Sequence, residues 1–207
     1  MFPKRQKIIS LFLLFSFLFL QGCATFFAKE TKMGEGNHYL TWNKRQQQLQ
    51  AVNNWDLNGV MSVNYQGKND IVNFAWNQVA SNYSIDFHGP LHLGGAKIIG
   101  NDRKVDLIKG ANDVVEANSP EDLMLSQFGW YLPLSDMVYW VRALPAPDSA
   151  IKSASFDEYH HLILLKQQGW QIRYADFKSI KSVDLPTKIY LNSESVQVKL
   201  VFKWVSV

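Results

Sequence analysis

Asp86 and His88 stand two residues apart in the alternating stretch 83–88, so a strand there carries both on one face, close enough for a carboxylate–imidazole proton couple. Such a couple needs a nucleophile or a metal to act on, and none stands at a diagnostic spacing. The chain has no Gly-x-Ser-x-Gly, no His-Glu-x-x-His, no phosphate-binding glycine loop and no paired cysteines. His160 and His161 are adjacent, which on a strand points them to opposite faces and makes a poor metal pair. Glu121 and Asp122 follow Ser119 and Pro120, where acids belong to the first turn of a helix. The residues therefore predict no catalytic set, no metal site and no cofactor.

The remaining reactive side chain is Cys23, the only cysteine, so no intramolecular disulfide is expected. It ends an export signal. Lys4, Arg5 and Lys7 precede residues 8–20, which are apolar apart from Ser10 and Ser16 and fall short of the ~20 residues that cross a bilayer core. Leu20, Gln21, Gly22 and Cys23 then resemble a bacterial lipobox, whose cysteine is acylated after cleavage. The lipobox resemblance also implies sorting by the next residue: Ala24, in place of an aspartate, implies delivery to the outer membrane, on its periplasmic face, in a Gram-negative bacterium. Residues 1–22 are thus expected to be removed, 23–38 to form a lipid anchor and flexible tether, and 39–207 to form a single domain. Loss of the signal lowers the count of Lys and Arg from 21 to 18, against 18 Asp and Glu, so a near-neutral domain gives no argument for nucleic-acid binding.

The elements that must carry any function are mostly strands. Leu40, Trp42, Leu49 and Val52 form an approximate helical stripe. The period then changes to two: Leu57, Gly59, Met61, Val63 and Tyr65; Val72, Phe74 and Trp76; Tyr83, Ile85 and Phe87. Further strands are expected at 96–100, 104–108, 114–117, 159–167, from Trp170 through Tyr174, at 188–191 and 196–204. Two short apolar helices interrupt them, one starting at Ser119 and Pro120, the other capped by Ser135 and ended by Pro145 and Pro147. Between the third and fourth strands, residues 88–95 combine Gly89, Pro90, Gly94 and Gly95 with two leucines that a polar turn has no reason to contain. The fold class predicted is mainly β: an open, strongly curved, barrel-like antiparallel sheet of about 9–11 strands, with a short-helix lid over its concave face. The interior is either filled by side chains or holds an apolar ligand.

The order of motifs resembles a known family. It runs from the lipobox through Phe74, Ala75 and Trp76, then Gly89, Pro90 and Leu91, then Leu132, Pro133 and Leu134. Tyr139 to Pro145, Gln168, Gly169 and Trp170, Leu185 and Pro186, and a final stretch 199–204 complete it. From about Trp42 onward the chain is similar to the LolB family. That resemblance implies a monomeric outer-membrane lipoprotein that accepts acylated lipoproteins from a LolA-like periplasmic carrier in a hydrophobic cavity and inserts them into the inner leaflet of the outer membrane. Without the transfer step, a lipid-anchored envelope protein that binds another lipid or acts as a scaffold is the alternative. The resemblance also implies a membrane-insertion role for Pro90 and Leu91. Phe74, Trp76, Ile85, Phe87, Leu125, Trp140 and Tyr174 are the candidate acyl-chain cavity. Two positions depart from the family pattern: His92 follows Leu91 where the family has glycine, and Ala143 replaces the glycine of Arg-Gly-Leu-Pro.

Overall fold

The computed structural model describes residues 40–89, 95–110 and 113–207. In chain order these form α1 (Trp42–Ala51), β1 (Asn54–Tyr65), β2 (Lys68–Val79), β3 (Asn82–His88), β4 (Ala96–Gly100), β5 (Val105–Gly110) and β6 (Asp113–Ala117). There follow α2 (Pro120–Phe128), α3 (Leu134–Trp140), β7 (Ile151–Phe156), β8 (Leu162–Gln167), β9 (Trp170–Ile180), β10 (Val183–Asn192) and β11 (Val196–Ser206).

The eleven strands make one antiparallel sheet in the order β6-β5-β4-β3-β2-β1-β11-β10-β9-β8-β7. It is two meanders joined where the last strand returns to the first, with Leu57 opposite Trp204 and Tyr65 opposite Val196. The two edges are β6 and β7, and the chain between them is the helical segment. Alternation decides the faces. β11 buries Val196, Val198, Leu200 and Phe202 and exposes Gln197, Lys199, Val201 and Lys203. Gly59 of β1 is needed at the seam, because a Cβ there would lie 2.4 Å from the Val201 carbonyl oxygen and 2.6 Å from Phe202 Cβ.

The inward faces and the helices share one core, which includes Leu123 and Met124 of α2 and Met137 and Trp140 of α3. Helix α2 starts where Ser119 and Pro120 predict: the Ser119 hydroxyl accepts from the Asp122 N–H at 3.0 Å, and Gly129 closes the helix at φ +77°. Helix α3 starts differently from the expectation. Its N-cap is Pro133, and Ser135 lies inside the first turn. Glu121 of the preceding helix accepts the Ser135 N–H at 2.9 Å and its hydroxyl at 3.3 Å, so the carboxylate of one helix caps the next.

One strand is added and two other local expectations are corrected. Strand β7 has no alternating pattern because every residue of it is exposed. Residues 157–161 are a turn, not the start of β8: His160 has φ +60°, and Asp157 accepts the N–H groups of Tyr159 and His161 at 3.0 and 2.8 Å. Pro186 lies within β10, not before it; it pairs toward β9, opposite Phe177, while pairing with β11 begins only at Lys188, so its missing N–H breaks no ladder bond on that side.

Candidate functional site

The concave face is built by cross-strand pairs. Phe74 of β2 lies opposite Phe87 of β3, and Trp76 lies opposite Ile85. These four side chains, with Trp140 of α3 and Tyr174 of β9, are at most 5% exposed and belong to the one core. Phe87 meets Phe128 edge-on at 6.5 Å, and Phe128 stands 5.8 Å from Trp130, which carries the aromatic contact from the sheet into the helical segment. Six of the seven candidate cavity residues are therefore brought together. The seventh is not: Leu125 is 55% exposed, while Leu123 and Met124 are the buried residues of α2. A cleft of about 890 Å³ lies between α1, α3 and the 145–149 segment, and none of the seven lines it. Its walls mix Gln46, Gln50 and Asn53 with Tyr139, Leu144 and Pro145.

Tyr174 brings a polar group into this apolar interior. Its hydroxyl is buried and has no hydrogen-bond partner among the described residues, and burial pushes the phenol far above its ordinary pKa, so it stays a neutral donor. Asp136 on α3 is also perturbed. Burial first, then Glu121 and Asp148, raise its carboxyl to about 6.

Two polar arrangements position the helical segment; motif reasoning passes over Gln167 and marks Arg142 only as part of the Tyr139 to Pro145 stretch. Gln167 of β8 is buried, and its amide is saturated. The oxygen accepts from Trp140 Nε1 and from the Ala146 N–H, both at 3.0 Å, while the nitrogen donates to the Ala146 and Ser149 carbonyls at 2.8 Å. The signal was present, since Gln167 occupies the inward position after Leu165, where an apolar residue is expected. Arg142 is the second. It is buried beside the Tyr139 ring and donates to the Val138 carbonyl at 3.0 Å and the Val52 carbonyl at 2.7 Å, which ties the end of α3 to the end of α1. Burial lowers its pKa from the ordinary arginine value.

On α1, Arg45 is buried and donates to Asp184 of β10 at 2.6 Å and to the Tyr159 carbonyl at 2.8 Å. His161 lies between two carboxylates, Nδ1 2.8 Å from Asp157 and Nε2 3.1 Å from Asp184, and stacks on Phe177 at 4.5 Å. Burial alone would lower the His161 pKa, but the two carboxylates outweigh it and hold the ring above its ordinary value. Burial would raise Asp157 and Asp184; their bonds to His161, and to Arg45 for Asp184, hold both below the carboxylate norm. With both ring nitrogens facing carboxylates, the geometry is that of an imidazolium in a charge-balanced set of two cations and two anions. It fastens α1 to the sheet. Among the described residues no group of His, Cys, Asp or Glu forms a metal site.

Pro90, Leu91 and Cys23 lie outside the described residues. The flanks of the 90–94 loop are described: Gly89 has φ +130° and Gly95 has φ +105°, conformations that glycine adopts without strain. Asp86 pairs with Lys97 at 3.3 Å, while His88 occupies an exposed strand end, so no proton couple forms between them in this arrangement.

Residues 53–204 match the family model for the outer membrane lipoprotein LolB. The chain belongs to the LolB family. Its LolB relatives include the outer-membrane lipoprotein LolB of Coxiella burnetii, 37% identical over 188 residues that span 91% of this chain and 88% of that protein. The LolB of Pseudomonas fluorescens is 36% identical over 193 residues, 93% of each chain. Solved structures share the fold at low identity. A LolA superfamily protein from Nitrosomonas europaea superposes with a TM-score of 0.50 at 12% identity, covering 79% of this chain and 92% of that one. A DUF1329 family protein from Desulfovibrio piger gives 0.54 at 10%, covering 78% and 88%. The open LolB sheet and its helical segment are thus an architecture shared well beyond recognisable sequence similarity.

Proposed function

We propose that this chain is an outer-membrane lipoprotein receptor, anchored through Cys23, that takes acylated lipoproteins from a LolA-like carrier and inserts them into the bilayer through the Leu91 loop. The observation that carries the reading is the joining of Phe74, Trp76, Ile85 and Phe87 with Trp140 of the helical segment in one apolar interior. Membership of the LolB family supports it. In this reading residues 1–22 are the removed signal, 23–38 the lipid anchor and polar tether, and 39–207 the receptor domain.

The physics of the client sets what the receptor must do. Burying a methylene contributes about 0.8 kcal/mol, so three acyl chains of about 14 methylenes each are disfavoured in water by roughly 30 kcal/mol. A free client cannot cross, but it can pass between apolar interiors by reversible contact, with no covalent step. One exposed leucine contributes about 1.5–3 kcal/mol on entering lipid, enough to bias a brief contact.

The test is a transfer assay with a carrier loaded with triacylated client, vesicles and the purified protein. The native chain should deplete the carrier and deliver client to the vesicles. Leu91→Glu should still deplete the carrier but leave the client undelivered. Normal delivery by a folded Leu91→Glu protein would remove the loop's role, and no depletion by the native chain would remove the receptor reading.

A further inference from the structure

We propose that the convex face of β9, β10 and β11 binds the headgroups of anionic lipid, which holds that face against the membrane; the inference rests on the membrane-anchored reading above.

The argument starts from register. Arg173 pairs with Tyr190 and Tyr190 with Lys199, so the three form one outward row across three strands. The Arg173 guanidinium stacks 3.8 Å above the centre of the Tyr190 ring, and Lys199 Nζ approaches the same ring at 5.8 Å. The ring fixes two cations side by side and leaves their outer surfaces exposed. In the next row Lys188 lies opposite Val201, and Lys203 follows two residues further along β11. Of the carboxylates at this face and its border, Asp176 is bonded to Lys188, and Asp56 of β1 accepts from Ser206 of β11 and from Asn77. The ion pairs among the described residues give Arg173, Lys199 and Lys203 no carboxylate. On the other half of the sheet the outward charges match, Lys97 with Asp86 and Lys104 with Asp106. A near-neutral domain therefore carries a cationic half-face.

The face is spread over several strands and has apolar groups among its cations. Val201 is 42% exposed and Val205 62%. Cations, an aromatic ring and exposed valines on the outward side of neighbouring strands match a phosphate-bearing interface better than a single small anion or a grooved protein partner. The rows also run toward the strand end that precedes Pro90 in sequence. The Arg173 row continues through Ser62 to Ile71, which is 58% exposed. The Lys188 row continues through Val60 and Asn73 to His88, two residues before Pro90.

The test uses the full acylated protein in phosphatidylcholine vesicles with and without phosphatidylglycerol. A membrane-impermeant amine reagent is added, and lysine acylation is followed by mass spectrometry. Lys199 and Lys203 should react about fivefold or more slowly when phosphatidylglycerol is present, the change expected from one cation held near an anionic surface. Lys104, on the other half, should not change, and high salt should abolish the difference. Arg173→Gln combined with Lys203→Gln should remove the protection of Lys199, and Arg173→Lys with Lys203→Arg should keep it. Equal rates in the two vesicles would overturn the proposal. So would protection that appears only on adding a carrier protein, which would assign the face to an acidic protein. Client delivery measured in the same vesicles separates the two readings. Delivery without lipid-dependent protection removes only this inference, and failed delivery by the native chain removes the receptor reading.

Discussion

Trp140 of α3 donates its indole N–H to the Gln167 side chain of β8 at 3.0 Å, and the same amide oxygen accepts the Ala146 N–H. One side chain thus fixes both the end of the helix and the segment that leaves it. Gln167→Ala strands two buried donors and two carbonyls, and should lower stability by about 2–5 kcal/mol. Urea unfolding would measure the loss, and limited proteolysis should find new cleavage within 145–150. An unchanged midpoint would mean that water replaces the amide without penalty.

The Arg45–Asp184–His161–Asp157 set predicts both a large mutational effect and a pH signature. Arg45→Ala leaves Asp184 buried with one fewer counter-charge and should be destabilising by about 3–5 kcal/mol. The sign of the pH dependence follows from the shifts. His161 is held above its ordinary value, so its contribution is complete below about pH 6.5 and fades as pH rises through the folded-state value. Asp157 and Asp184 are held below theirs, so their contribution is complete above about pH 4 and fades as pH falls through their folded-state values. The stability gap between the native chain and His161→Gln should therefore be widest between about pH 4 and 6.5 and shrink toward pH 9. A gap independent of pH would contradict the imidazolium assignment.

Ala143 has φ +57°, in the left-handed region. Relief of that strain by Ala143→Gly outweighs the extra chain entropy of glycine in the unfolded state. The substitution should stabilise by about 0.5–1 kcal/mol, a small rise in Tm. A fall in Tm would mean that the buried alanine methyl outweighs the backbone strain.

Tyr174→Phe removes a buried hydroxyl that has no partner among the described residues. Leaving such a group unpaired costs about 1–3 kcal/mol, so the phenylalanine variant should match or exceed the native stability. A clear loss of stability would show that the hydroxyl has a partner, such as water.

What the sequence made legible follows from physical periods. β1, β2, β3 and β11 were plain because one face is buried and the other wet, so apolar residues fall at every second position. Ser119 and Pro120 marked α2 because orphan N–H groups need an acceptor and proline has no N–H to lose. β7 left no trace, since a strand exposed along its whole length, Ile151 and Phe156 included, has no reason to alternate. The first half of β10 was hidden by Pro186, whose allowance depends on a neighbour that begins pairing two residues later. His161 was misplaced because the left-handed turn at His160 breaks the strand period. Arg45 gave no warning either: a basic residue in a Gln-rich helix looks solvated, and only the fold brings Asp184 to it from 139 residues away. Within the candidate site, the sheet aromatics were legible from alternation, while Leu125 was not separated from Leu123 and Met124 in an apolar run. The departure at Ala143 gains its meaning from the structure, since the family's glycine there suits a backbone that this chain adopts under strain.

The two sheet edges, β6 and β7, are the far ends of one uninterrupted ladder. A closed barrel has its girth set by strand number and stagger. Here the strand order is open, so closure does not set the girth. No inter-strand pairing joins β6 to β7 among the described residues, and the helical segment between them is held by side chains: Gln167 ties α3 to β8, Arg142 ties it to the end of α1, and Glu121 ties it to α2. For the receptor proposed above, room for cargo of different bulk would have to come from the unpaired side between these two edges, with the paired strands left intact.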